Sequence, residues 1–460
     1  MTDTTGVFAA KTAGPIGAAK TAENPASTCP ADPSPQKKTS FFKRLGPGLI
    51  TGASDDDPSG IATYSQAGAA YGYDLLWTLL LTLPLMAAIQ EIAARIGRVT
   101  GRGIAGNMRR HYSAWLLYPV ISLLVIVNTI NLGADIGAMG DAVKLLVGGP
   151  ALVYAAILAI ISVLLQVFAS YPRCTKFMKW LTLALFSYVV SVFIVHLPWG
   201  QALWRTIVPH WSFSGDYWAT VIALLGTTIS PYLFFWQASQ ETEEIRANGE
   251  QKPLKREPCQ APLQLERIRL DTYVGMTFSN LVAYCIILAA AATLHGNGIT
   301  EINTSADAAK ALEPVAGRFA FVIFAIGIVG TGMLAVPVLA GSAAYGVGEA
   351  LKWRTGLDQK PRRAKGFYGV LTAATFIGLA LNVPAVQHVT HLSPIKALFW
   401  AAVINGVVAV PIMVVMMLMF HNGKVMGEFA KGSRGLKVLG WISTAAMFVA
   451  SLGLFLTWKS

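Results

Sequence analysis

Apolar runs of about twenty residues recur along this chain, each closed by a short polar or charged stretch. A helix rises about 1.5 Å per residue, so about 20 apolar residues cross the roughly 30 Å hydrocarbon layer of a bilayer. No water reaches the backbone at that depth, so the runs are expected to be helices. The short alternating segments of a β-barrel do not occur. The pattern predicts about eleven spans, near 45–70, 74–97, 115–147, 150–171, 175–197, 217–240, 269–294, 317–351, 366–382, 393–421 and 435–458. The first 40 or so residues are polar and rich in Ala, Thr and Pro, and read as a disordered tail. Residues 41–460 read as one transmembrane domain.

Charge turns this count into a topology. Every second gap is basic: Lys37–Arg44 before the first span, Arg98–Arg110 after the second, Arg173–Lys179 after the fourth, Arg246–Arg269 after the sixth, Lys352–Lys365 after the eighth and Lys424–Lys437 after the tenth. The intervening gaps are poor in Lys and Arg. Positive loops stay on the cytoplasmic side, so the N-terminus is expected inside and, after eleven spans, the C-terminus outside. A plasma (inner) membrane location follows. Trp199, Trp204, Trp211 and Trp218 cluster at the outer loop before the sixth span, as an interfacial belt does. Only 13% of the 460 residues are charged and 54% are hydrophobic, against roughly a quarter charged in soluble domains. The net charge of +12 is therefore carried by membrane loops and does not form a nucleic-acid surface. The four cysteines show no metal-ligand spacing, and no nucleophile–base pair or cofactor loop suggests an enzyme.

Two spans are interrupted. The first reads GPGLITGASDDDPSGIATYSQAGAAYGY, with Asp55, Asp56, Asp57, Pro58 and Gly60 in its middle. Carboxylates at that depth persist where they face a cavity, a partner or a substrate. Pro58 lacks an N–H and disfavours helix at Asp57, so the chain is expected to unwind there and free carbonyls beside a carboxylate. Two simpler readings compete: an extramembrane loop between short helices, or N-caps of the following segment. The sixth span reads YWATVIALLGTTISPYLFFWQASQETEE, interrupted at Gly226, Ser230 and Pro231. Paired breaks in spans 1 and 6 are the mark of two inverted five-helix repeats with a midplane site. The repeats would cover about 45–200 and 215–421, with an extra helix at about 435–458. Asn128, Asn131 and Asp135 share one face of the third span, as cavity lining or interhelical hydrogen bonds. Glu91 and Arg95 in the second span make an i,i+4 pair, structural or gating. The stretch 241–269 between spans 6 and 7 reads as a flexible solvated loop.

The segment GPGLITGASDDDPSGIATYSQAGAAYGYDLLW, followed by AARIGRVTG, resembles the opening of the NRAMP divalent-metal transporters, whose first helix carries a DPGN motif. TTISPYLFFWQ resembles their helix 6 motif. The resemblance implies an all-α, leucine-transporter-like fold. It places the family's metal-binding aspartate on Asp57, a backbone carbonyl ligand on Thr227 and the family's methionine ligand on Ser230. The family's asparagine ligand falls on Gly60. Two histidines tied to proton handling fall on Tyr232 and Gln237, and Asp135 stands near a helix 3 proton-path acid. Asn405 lies where family members place a polar ligand in helix 10. Asp55 and Asp56 are candidates for further metal contacts or for a charged vestibule.

The departures set the expected cargo. Thioether sulfur favours softer transition metals, whereas hydroxyl and carboxylate oxygen suit Mg²⁺ and Mn²⁺. Mg²⁺ surrenders its waters reluctantly and is commonly held through few carboxylates. The chain is thus most similar to the NRAMP-related magnesium transporters. The expectation is a secondary transporter of partly hydrated Mg²⁺ and Mn²⁺ with weak or no proton coupling, needing no cofactor. Two alternatives stand beside it: a proton-coupled Mn²⁺/Fe²⁺ importer, and an amino-acid or amine symporter on the same fold.

Overall fold

Proline positions and polar interruptions divide the chain into helices much as the hydropathy does. A computed structural model describes residues 47–168, 186–247, 249, 251–386 and 393–457. The first span is two helices, α1 (Pro47–Asp55) and α2 (Pro58–Tyr71), and the second is α3 (Leu76–Thr100). A short helix α4 (Ile104–His111) leads to α5 (Ala114–Val147) and α6 (Ala151–Phe168). Of the fifth span, α7 (Phe186–Ile194) is described and the helix stops there, short of the expected end at 197; residues 175–185 of that segment, the end of the fourth at 169–171, the tail at 1–40 and residues 458–460 lie outside the described residues. After an amphipathic helix α8 (Trp199–Ile207) comes the sixth span, split into α9 (Gly215–Thr228) and α10 (Pro231–Ala247). The remaining spans are α11 (Ala261–Thr293), α12 (Ala320–Ala350), α13 (Lys365–Ala380), α14 (Pro394–His421) and α15 (Arg434–Thr457).

The packing exchanges partners between the two halves. α11, the seventh span, lies along both halves of the first span, while α3, the second, lies along α10 of the sixth. The third span, α5, packs along its counterpart α12. This reciprocity is the inverted-repeat arrangement that the paired breaks imply. Glycines let the broken helices approach backbone to backbone: Gly52 of α1 abuts the Gly275 carbonyl of α11, and Gly226 of α9 abuts Ala402 and Gly406 of α14. The sixth span is wholly enclosed. By contrast α6 presents Val153, Ile157, Ile160 and Leu164 outward, a stripe that only lipid satisfies. The protein is an all-helical, multi-pass membrane protein.

One expectation is corrected here. The stretch 241–269 is helix at both ends and not one loop: α10 runs on to Ala247 and α11 starts at Ala261, leaving 251–257 without helix between them. Hydropathy marks where lipid ends, not where helix ends, and Glu, Arg, Leu and Gln are strong helix formers. Two of those charged residues are buried or nearly so. Glu241 Oε2 accepts from Arg267 Nη2 at 2.6 Å, and Arg98 of α3, fully buried, donates to Gln251 at 2.7 Å and lies 4.0 Å from Glu241. The network ties spans 2, 6 and 7 together on the basic side.

Candidate ion site at the two helix breaks

Asp57 is the N-cap of α2, with extended backbone (φ −70°, ψ 172°) and Pro58 at the first helical position. Proline fits there because its missing N–H needs no partner, and its ring forces Asp57 out of the helix. Asp57 Oδ1 accepts from the Gly60 amide at 2.7 Å and from Ser59 Oγ at 2.6 Å. Oδ2 points the other way, toward Asn131 Nδ2 (3.4 Å) and the Tyr232 hydroxyl (3.1 Å). Tyr232 also reaches the Ser54 carbonyl at 3.3 Å, so its ring bridges the two breaks. The N-cap reading of Asp57 therefore holds for Oδ1, while Oδ2 faces away from the cap toward the second break.

The second break lies at Ile229 (φ −119°, ψ 61°), after which Pro231 begins α10. Ser230 Oγ donates back to the Gly226 carbonyl (2.6 Å) and the Thr227 carbonyl (3.0 Å), keeping its own lone pairs free. Thr227 Oγ1 is buried without a hydrogen-bond partner among the described residues, as is the Tyr64 hydroxyl. A β-carbon on Gly60 would sit 3.2 Å from Thr227 Oγ1, 3.2 Å from the Tyr64 ring and 3.3 Å from the Asp55 carbonyl oxygen. Gly60 thus faces the gap between the breaks, and Tyr64 occupies part of the room that its missing side chain leaves.

Asp55 and Asp56 are buried, which corrects the reading of them as solvated vestibule charges. Both turn to α11, where the Ser279 hydroxyl lies 2.7 Å from Asp55 Oδ2 and 3.1 Å from Asp56 Oδ1. One oxygen of each has no partner among the described residues. Asp135 is fully buried beside the Ser59 backbone, with no side-chain hydrogen-bond partner among the described residues. Among those residues no Lys, Arg or His forms an ion pair with any of these four aspartates. Four buried carboxylates without a cationic side chain are costly unless cations or protons join them. Among the described residues no group of three or more His, Cys, Asp or Glu side chains could hold a metal ion. The oxygens near Asp57 are instead mainly hydroxyls and carbonyls.

The other expected residues divide. Asn131 touches Asp57, but Asn128 donates to the Leu339 carbonyl (3.1 Å) and Ser342 Oγ (2.6 Å), clasping α5 to α12. Gln237 accepts a hydrogen bond from Thr51 and so ties α10 to α1. Asn405 is buried with its amide unpartnered among the described residues, next to the Gly406 that abuts Gly226. Glu91 and Arg95 pair with each other within α3, away from the breaks. Ser279 and Tyr64 were not singled out in the sequence, because a lone serine or tyrosine in an apolar span carries no signal. On the side opposite the basic loops, a cavity of about 430 Å³ is lined by Ala62, Gln66, Asp216, Thr220, Glu301 and Lys396, among others. Ala62 is one helical turn beyond Pro58, and the cavity carries two acids, Asp216 and Glu301.

A sequence profile of the family described as natural resistance-associated macrophage protein-like (Nramp) matches residues 48–457. The divalent metal cation transporter MntH 1 of Pseudomonas aeruginosa is 30% identical over 66% of this chain and 68% of its own length. The divalent metal cation transporter MntH of Klebsiella pneumoniae is 24% identical over 87% of this chain and 91% of its own. Among solved structures, the manganese transporter of Eremococcus coleocola superposes with a TM-score of 0.71 at 18% identity, over 91% of this chain and 87% of that one.

Proposed function

This chain belongs to the Nramp family, and from that premise we propose that it is a secondary transporter of divalent cations whose cargo is Mg²⁺ and Mn²⁺. It is a transporter and not an enzyme, with a leucine-transporter-like fold. The observation that carries the reading is the burial of Asp55, Asp56 and Asp57 at the break of the first span, and of Asp135 on α5, without a cationic partner among the described residues. An amino-acid carboxylate would meet only repulsion there, which disfavours the symporter. Asp57 Oδ2, the hydroxyl oxygens of Thr227 and Ser230, and the Thr227 carbonyl supply hard oxygen ligands and no sulfur. So few protein ligands suit an ion that keeps part of its water shell.

Entry from the cavity lined by Asp216 and Glu301 places the ion beside α2 and then at Asp57. An inside-negative potential of 100 mV favours inward movement of a divalent ion by about 4.6 kcal/mol, twice the single-charge value. With Tyr232 and Gln237 where relatives in the family carry histidines, the ion moves down its own electrochemical gradient with weak or no proton coupling. The competing reading, a proton-coupled Mn²⁺/Fe²⁺ importer, draws on Asp135, whose buried carboxyl is suited to hold a proton. Proteoliposomes with an internal Mg²⁺ indicator and an internal pH dye separate the two. Mg²⁺ and Mn²⁺ uptake without acidification is the expected result. Fe²⁺ or Cd²⁺ uptake that Mg²⁺ fails to inhibit overturns the cargo, and proton entry in fixed ratio to metal overturns the coupling.

A further inference from the structure

The basic gaps of the sequence are far apart in the chain, and topology alone does not require them to meet. Three of them do. The start of α4 and its flanks, the last turn of α10 and the residues just after α12 enclose a cavity of about 670 Å³, well apart from the helix breaks. Arg102, Arg109, Arg110, Arg246 and Lys352 line it, against a single carboxylate, Glu349. That carboxylate is already committed: Oε1 accepts from the Gly103 amide at 3.1 Å and Oε2 from the Gly106 amide at 2.8 Å. Arg109 and Arg246 each give one N–H to a backbone carbonyl, of Ala350 (2.7 Å) and Thr355 (3.1 Å), which fixes the guanidinium groups at the wall. Among the described residues none of the five cations makes an ion pair. Five unneutralised cations around one cavity repel one another, and an anion relieves that repulsion.

The cavity's place in the fold says which anion. It opens at the ends of membrane spans, on the side of the basic loops. Trp353, which helps line it, is 44% exposed and the neighbouring Leu351 is 43% exposed. A tryptophan and an apolar side chain at such a rim sit at headgroup level, where acyl chains begin. A soluble anion needs no such rim. We propose that this cavity binds the phosphate headgroup of an anionic phospholipid, with Arg102, Arg110 and Lys352 contacting the phosphate and Trp353 the start of the chains. Since Arg246 belongs to α10, the lipid would bridge the inner half of the broken sixth span to α4 and α12.

The test uses the full chain, purified in mild detergent, and native mass spectrometry with phosphatidylglycerol or phosphatidylcholine. The site variant is Arg102→Gln/Arg110→Gln/Lys352→Gln. The control variant is Lys360→Gln/Arg362→Gln/Arg363→Gln, which removes the same charge from exposed positions that do not line the cavity. Wild type and control should retain phosphatidylglycerol in preference to phosphatidylcholine, and the site variant should lose at least about tenfold in phosphatidylglycerol affinity. Equal retention, or equal loss, by the two variants overturns the proposal. A second arm needs no variant. If millimolar inorganic phosphate displaces phosphatidylglycerol from wild type, the site is one for free anions and the lipid assignment fails; persistence of the lipid supports it.

Discussion

The two broken spans use the same device to opposite ends. Each resumes its helix with a proline at the first position, Pro58 and Pro231, and each has a hydrogen-bonding side chain just before it. In the first span that side chain is Asp57, which reaches forward to cap the new helix through the Gly60 amide. In the sixth it is Ser230, which reaches backward to the Gly226 and Thr227 carbonyls of the old one. The first break therefore exposes a charged oxygen on its far side, and the second closes on itself and offers neutral oxygens. An ion held between them as proposed would meet charge from one helix and dipoles from the other. The difference suits a hard cation that exchanges only some of its waters.

Removing the charge while keeping the cap tests this most severely. Asparagine caps helices as well as aspartate does. Asp57→Asn should lower Mg²⁺ uptake on the order of a hundredfold, about 2.7 kcal/mol, with little change in melting temperature. Uptake near the wild-type rate would reduce Asp57 to a cap and remove the contrast between the breaks. Next in size is Ser230→Met, which sets a thioether where the neutral break offers a hydroxyl. Inhibition of Mg²⁺ uptake by Cd²⁺ should strengthen about tenfold, because soft ions prefer sulfur. An unaltered inhibition curve would mean that Ser230 does not face the cargo. The smallest effects separate two neighbours on α5. Asn128→Ala should cost about 1–2 kcal/mol of stability with ion selectivity unchanged, since it loses the clasp to α12. Asn131→Ala, which touches only the first break, should slow uptake a few-fold with less loss of stability. If thermal melting and uptake respond alike in both variants, the face they share acts as one unit.

Much of the fold was readable in the sequence because lipid imposes it. Span after span, apolar length and loop charge mark the same segments that the helices occupy, and Pro58 and Pro231 locate both breaks. What escaped was of two kinds. Helix beyond the bilayer is invisible to hydropathy, so the charged helix ends at 241–247 and 261–269 passed for a loop. Facing is invisible as well. The run Asp55–Asp57 shows three acids at one depth, yet only packing against α11 and Ser279 separates the two that turn toward that helix from the one that caps α2. Asn128 and Asn131 share a face and a chemistry, and differ only in which helix lies opposite. Gly60 is the converse case: its lack of a side chain was plain in the sequence, but the Tyr64 ring that fills part of the gap was not.

On the proposed reading, the division of labour between the two oxygens of Asp57 also bears on how long an ion stays. Oδ1 faces the amide end of α2, where the helix dipole is positive, and its hydrogen bonds to Gly60 and Ser59 draw electron density from the carboxylate. With Oδ1 committed to the cap, the cargo is left one oxygen of the carboxylate rather than both. A carrier must release its ion as readily as it captures it, and a carboxylate gripping with both oxygens in so dry a place would hold a divalent ion longer. If Asp57 holds the ion as proposed, the cap would shorten its residence, and the contact that starts the helix would also set the pace of unloading.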